Sequence, residues 1–426
     1  MIVIQRQELL QDISLFTSAP KAQFYSALFL SLKISHLESA SRATGRKGFS
    51  KAAMLCAFIV MKCEGFSQIT DLIDYLSNNL LIAHYCGFNI MKPLPSYWTF
   101  SRFLRDLENN ILKCIMRDQV LLLVEMGIMD ASFAGLDSMP VYANTAQNNP
   151  KSFLSGKFKK DNQPKADPDC RLGVHTASNQ HNEKKHHFYW GYKAHTLVDC
   201  ISGLPIFEMT TPANVADCSV TLDILKQTNA FLPLREFTFI ADKAHDVKDI
   251  YNTVKSLYQG DCVIPLNTRN TKNPKLLPVG NIICDAGLAM NKDGKDRSGG
   301  RARQKFCCPF RQSKDDTRCP CNHPRYHNGR KNRGCTKYIT LPDDYRLSID
   351  RYCISFKSLY ALRSECERYN SCFKSSGQER LWVRSFAAAQ NLNSIAHIAL
   401  LAIATTAILT QTDLSYRSFK SVKRIA

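Results

Sequence analysis

Up to about residue 128, apolar residues recur at helical spacing and no stretch alternates with a period of two, so the N-terminal part reads as helical. Ala52 to Cys63 predicts a buried helix that Gly65 ends, Ser67 is placed to cap a second through Leu76, and Pro93 and Pro95 precede a third from Thr99 to about Met116. Beyond Gly127 the pattern changes. FAGLDSMPVYAN, FYWGYKAHTLVDC and GLPIFEMTTPA are three short apolar runs bounded by turn residues, the last two joined through Ser202-Gly203, and they predict three neighbouring strands. Gln147 to Lys185, between the first two, is polar and reads as a mobile surface loop. Val215 to Thr228 predicts a helix, FTFIADKAH a buried strand ending in polar groups, Val247 to Leu257 a helix and CVIPLN a further strand. A meander followed by a strand-helix-strand crossover makes a mixed sheet covered by helices, an α/β fold.

Length allows two or three domains. The boundaries implied are 1–128, helical; 129–267, the first part of the sheet; 268–344, an insertion; and 345–426, the remainder of the core. Fifty-six Lys and Arg against 37 Asp and Glu give a net charge of +19, which favours a polyanionic partner over a neutral or acidic one. The excess is concentrated. Arg301 to Lys337 holds 11 basic residues against Asp315 and Asp316, and Arg417, Lys420, Lys423 and Arg424 crowd the C-terminal end. The basic loop RATGRK lies before the first predicted helix, which is compatible with a helix-turn-helix DNA reader and equally with a plain helical bundle.

YALRSECERYNSCFK places Tyr360, Arg363, Glu367 and Lys374 at offsets of 0, 3, 7 and 14, one stripe of one continuous helix. A Glu and Arg four apart is ordinarily a solvated pair. Here the rest of the chain supplies partners: Asp137 lies on the first strand, Asp242 at the carboxyl end of the fourth, and Glu367 on a later helix could join them. Three carboxylates with no nearby base suit Mg²⁺, and a site of that kind suits phosphoryl transfer.

The four signature positions are those of Tyr-x2-Arg-x3-Glu-x6-Lys, and together with LDSMPVYAN, WGYKAHTLVD, GLPIFEMTTPANVAD and FIADKAHD, in that order, the chain resembles the DDE transposases of bacterial insertion sequences over roughly residues 40 to 410. The resemblance implies a ribonuclease-H-like core with Asp137, Asp242 and Glu367 holding two Mg²⁺ or Mn²⁺ ions, and Tyr360, Arg363 and Lys374 binding DNA around the scissile phosphate. It implies double-stranded DNA partners, the terminal inverted repeats and a target, and a homodimer when two ends are paired. Where many relatives carry Gly or Thr close to the first aspartate this chain has Ser138 and Met139, and where they carry a Gly-Tyr pair after the second it has Ala244-His245. A metal-dependent nuclease on the same fold and a non-catalytic DNA-binding derivative are the rival readings.

Glu367 follows Asp242 by 125 residues (367 − 242), so Thr268 to about Asp344 reads as inserted. It brings Cys307, Cys308, Cys319, Cys321, His323, His327 and Cys335 together in sequence, ligand types for a structural Zn²⁺ but without clean CxxC pairs, so reduced thiols in a DNA-contacting loop stand beside it. This segment is polar enough to need zinc or DNA to order it. Arg6 and Glu8 interrupt any export signal in MIVIQRQELL, and 17 cysteines then imply a reducing compartment, the bacterial cytoplasm and nucleoid. The apolar run Ile395 to Leu409 contains His397 and two threonines and is short for a membrane span; a buried core helix is expected, with no membrane partner.

Overall fold

The computed structural model describes residues 17–34, 37, 48–178, 184–267, 277, 280–297, 302–310, 334–340, 345–411 and 418–425. The basic loop RATGRK, Arg417 and most of the basic stretch from Arg301 to Lys337 lie outside them. Six helices open the chain: α1 Pro20–Ser31, α2 Lys51–Glu64, α3 Ile69–Asn78, α4 Leu80–Tyr85, α5 Tyr97–Asp106 and α6 Asn109–Glu125. Helix α2 is apolar on nearly every side and almost wholly buried; Ser50 caps its first turn by accepting from the Ala53 amide, and Gly65 ends it at φ 72°, a conformation glycine adopts without strain. Ser67 does not cap α3, which starts behind Gln68 with no side-chain cap.

The single helix expected from Thr99 to Met116 is two helices. Leu107 and Glu108 are extended, and the side chain of Asn391 donates to the carbonyls of Leu104 and Leu107, each at 2.7 Å. These end carbonyls have no partner in their own helix, and a buried amide from the far end of the sequence supplies one, making the break stable. Asn391 belongs to the long helix that runs Phe386–Leu409 (α12 below), and Asn109 at the start of α6 donates back to its Oδ1 at 2.9 Å.

The main sheet has six strands: β1 Phe133–Tyr142, β2 Arg171–Ser178, β3 Lys184–Asp199, β4 Pro205–Pro212, β5 Thr238–Ala241 and β6 Asp261–Val263. β1 lies antiparallel to β3, from Ala134 opposite Asp199 to Tyr142 opposite Gly191, and parallel to β5, where Leu136 faces Ala241. β5 continues parallel to β6, and β3 also pairs with β2 and β4. The strands expected at the first, second and third apolar runs are β1, β3 and β4. The polar stretch read as a loop contains β2, which pairs with the extended start of β3. Helices α7 Asp217–Asn229 and α8 Lys248–Leu257 fall where the pattern placed them, completing a mixed α/β architecture.

Between β6 and the C-terminal part, β7 Asn291–Asp296, β8 Arg303–Cys307 and β9 Thr336–Thr340 form a separate antiparallel sheet in the order given. The described part of this segment has an apolar core of its own, made by Ile282, Cys284, Met290, Phe306, Cys308 and Cys335. Most of the basic stretch read as needing zinc or DNA to order it, residues 311–333, lies outside the described residues. The chain returns to the place it left: buried Arg351 donates to the Ile264 carbonyl at 2.8 Å and to the Tyr251 hydroxyl at 3.0 Å.

After the short α9 Tyr345–Ser348 come α10 Ile354–Ala361, α11 Ser364–Phe373, a π turn over Lys374–Gln378, α12 Phe386–Leu409 and α13 Phe419–Lys423. Helix α12 is long and apolar enough to cross a membrane, but it is buried within the chain, against α1, α2, α5, α6 and β4, as the core helix its sequence predicts. Ser394 donates to Glu208, which Lys113 neutralises, and His397 meets Tyr369 of α11 through Nδ1, its Nε2 being buried without a hydrogen-bond partner.

Candidate active site

Asp137 and Asp242 become neighbours through the sheet. Each is one residue past the facing pair Leu136 and Ala241, on adjacent parallel strands whose spacing is about 4.8 Å. The parallel pairing ends there because β5 leaves into a 3₁₀ turn while β1 runs on to Tyr142, and Asp242 itself caps that turn, accepting from the Ala244 amide at 2.8 Å.

Glycine brings the third acid close. Gly135 lies two residues before Asp137, and a Cβ there would sit 2.4 Å from the Cys366 Sγ and 2.7 Å from the Cys200 Sγ. Only a residue with no side chain lets α11 lie this near β1, and Cys366, fully buried in that contact, immediately precedes Glu367. The stripe expected on one continuous helix is divided: Tyr360 lies in the last turn of α10, Leu362 and Arg363 form a tight turn with i→i−3 bonds, Glu367 lies on α11 and Lys374 starts the π turn. Leu362 and Arg363 keep helical dihedrals across the turn, and Tyr360, Arg363 and Glu367 stay within electrostatic reach of one another.

At the centre stands Arg363. Its guanidinium is 2.5 Å from Glu367 Oε1 and 3.6 Å from Asp137 Oδ2, so one cation bridges an acid of the sheet and the acid of the helix. Asn370, one turn beyond Glu367, donates to the same Asp137 oxygen at 3.1 Å. Burial pushes the Asp137 carboxyl up to about 6, against the pull of Arg363, while the charge of Asp242 adds to the rise. Burial also opposes ionisation of Asp242, but the hydrogen bond from His245 at 3.0 Å, with its charge and the Ala244 amide, holds this carboxyl below its ordinary range. Tyr360 is half-buried, stacked on Phe356, and within electrostatic reach of all three acids and Arg363. Lys374 stands apart from Glu367 and pairs with Glu379 at 3.0 Å.

Glu367 is turned to Arg363, and among the described residues no three His, Cys, Asp or Glu side chains converge as a ready ligand set. Of the seven residues named for zinc, Cys307, Cys308 and Cys335 are buried in the small sheet. Cys319, Cys321, His323 and His327 lie outside the described residues.

Two residues of the site escape a reading by motif. Asn370 is three positions after Glu367 and on its face, a signal present in the helical spacing. His245 stands out only as a departure from the family pattern, and the structure gives it a partner in Asp242.

Comparison with known families matches residues 137–402 to the transposase DDE domain and residues 18–106 to a transposase domain (DUF772). The first match begins on Asp137 and spans well over half of the chain, and the protein belongs to the DDE transposase family. No curated protein matches the sequence. Among solved structures, the cryo-EM structure of the piggyBac transposase synaptic complex with hairpin DNA is similar at a TM-score of 0.39 and 10% identity, covering 98% of this chain and 80% of that one.

Proposed function

We propose that this transposase binds the inverted-repeat ends of its own insertion sequence, hydrolyses a phosphodiester at each end, and joins the freed 3′-hydroxyls to target DNA. One observation carries the reading: Asp137 and Asp242 stand side by side where the parallel pairing of β1 and β5 ends, and Arg363 links Asp137 to Glu367. The core that holds them is read as ribonuclease-H-like.

The acids fit divalent metal by their chemistry. All three are hard oxygen donors, and Asp137 is half-buried with a guanidinium as its main countercharge, so a divalent cation would supply charge that the site already needs. Asp137, Asp242 and Glu367 would hold Mg²⁺ or Mn²⁺, two ions by the family pattern, and Glu367, exposed, must leave Arg363 to take part. When bound, the metal lowers the pKa of an attacking water or hydroxyl and stabilises charge on the phosphate oxygens. The chain's own groups do the rest. His245 and the Ala244 amide keep Asp242 ionised, Asn370 orients Asp137, and Arg363, released from the acids, can meet a DNA phosphate with Tyr360 and Lys374 beside it. The N-terminal helices are assigned to end binding and the synaptic form to a homodimer, acting on the bacterial nucleoid.

The test is a joining assay. Purified protein, Mg²⁺, a duplex carrying the DNA that flanks its gene and a supercoiled plasmid should yield plasmid covalently joined through the 3′ ends. Cleavage without any joined product would make the protein a nuclease of this fold.

A further inference from the structure

Beside the acids, two thiols are buried against each other. Cys200 follows the last residue of β3 and is held there by its amide, which donates to the Phe133 carbonyl at 2.8 Å. Cys366 lies in the first turn of α11, one residue before Glu367. Both side chains occupy the space over Gly135. The 2.4 and 2.7 Å that separate their sulfurs from a Cβ built on that glycine bound the sulfur–sulfur distance at about 5 Å. Both are free thiols, Cys366 fully buried and Cys200 2% exposed, and the Cys366 thiol is within hydrogen-bonding reach of that of Cys200.

A disulfide holds its sulfurs about 2.05 Å apart, so an approach of about 3 Å at most is required, which side-chain rotation and a slight movement of α11 supply. Burial keeps both thiols unreactive while α11 is docked on the sheet. The helix is short, ten residues, and the tight turn at Leu362–Arg363 sets it off from α10, giving it a break at its start about which to lift. Lifting bares Cys366. Docking brings it back onto Cys200.

We propose that Cys200 and Cys366 are an oxidation site, at which a small hydroperoxide such as hydrogen peroxide converts the two thiols into a disulfide that ties the Glu367 helix to the end of β3 and stops DNA cleavage. The Cys366 sulfur attacks one peroxide oxygen, the O–O bond breaks, and the hydroxide released takes the thiol proton and leaves as water. When α11 docks, the Cys200 sulfur attacks the sulfenic sulfur, the S–O bond breaks, and a second water departs with the Cys200 proton. Two thiols have then given two electrons to one peroxide. An excess of a small dithiol reverses the bond by exchange. Glu367, next to the tied residue, can no longer move with its helix. The consequence for cleavage rests on the transposase reading; the cross-link itself does not.

Reduced full-length protein is treated with hydrogen peroxide without DNA or metal, alkylated and digested with trypsin. Residues 364–368, which contain Cys366, should be recovered joined to the peptide 194–226, with fragmentation placing the bond on Cys200 rather than on Cys218 of the same peptide, and dithiothreitol should release them. Amide hydrogen exchange over α11 should slow at least tenfold in the oxidised protein, with circular dichroism unchanged. On end DNA in Mg²⁺, oxidised protein should cleave at least tenfold more slowly than reduced, dithiothreitol should restore the rate to within twofold, and Cys200→Ala, as active as wild type when reduced, should lose the sensitivity. Absence of the cross-link, a cross-linked protein that exchanges or cleaves as the reduced one does, or an equal loss of cleavage in oxidised Cys200→Ala would overturn the site. If reduced wild type cleaves no DNA, the transposase reading falls, and the thiol pair stands or falls by the cross-link and the exchange.

Discussion

The Arg363 guanidinium sits 3.6 Å from the Asp137 carboxylate, and it is the principal charge opposing the burial that pushes that carboxyl up to about 6. An acid that is hard to ionise in the folded chain is a cost to stability retained for chemistry. The folded pKa lies above the unfolded one, so the native state holds its proton longer: Asp137 lowers stability as pH rises from about 4 through 6, and the penalty is constant above that. In EDTA, Asp137→Asn should therefore melt higher than wild type at pH 7, by at most about 3 kcal/mol from a shift of roughly two units, with the difference vanishing near pH 4. Thermal melts across that range check it; equal melting at both pH values would remove the burial argument.

Gly135 sets how closely α11 approaches the sheet. Gly135→Ala should push Cys366 outward, destabilise the fold by about 1–3 kcal/mol and slow cleavage by displacing Glu367. Adding Cys366→Ala makes room for the new methyl group on one side. Denaturation midpoints and cleavage rates of the single and double variants test this, and a double variant no better than the single would place the effect elsewhere.

Legibility in the sequence followed the range of the interaction. The aspartates could be found because an acid within or just after an apolar strand is a local pattern, and Glu367 because four positions of one segment carry it. The break after Asp106 could not, since the amide that satisfies the Leu107 carbonyl comes from Asn391, 284 residues away. β2, with Arg171, His175 and Thr176 among its eight residues, looks like a loop until Lys184–Gly191 pairs with it. The turn at Leu362–Arg363 keeps helical dihedrals and good helix formers, so nothing in composition marks it.

Removing the Asn391 amide should be felt as two orphaned carbonyls. Asn391→Leu is expected to cost about 2–4 kcal/mol, since both the Leu104 and Leu107 oxygens lose their donor. Urea denaturation measures it, and a loss below 0.5 kcal/mol would mean that water replaces the amide.

Lys374 is paired with Glu379 in the free chain and is assigned to a DNA phosphate in the complex. Lys374→Ala should weaken end binding and reduce the slope of log K against log salt by about one unit. An unchanged slope would return Lys374 to a surface pair.

The central claim is that Asp137, Asp242 and Glu367 act as one acidic set on DNA. Its most direct measurement is single-turnover cleavage, in Mg²⁺, of a duplex bearing the gene's flanking ends by wild type and by Glu367→Gln, with end binding measured on the same preparations. The account predicts that Glu367→Gln binds ends within about threefold of wild type, since the amide keeps the shape and all the cations remain, and forms no 3′-hydroxyl product. Cleavage by Glu367→Gln at near the wild-type rate would contradict it.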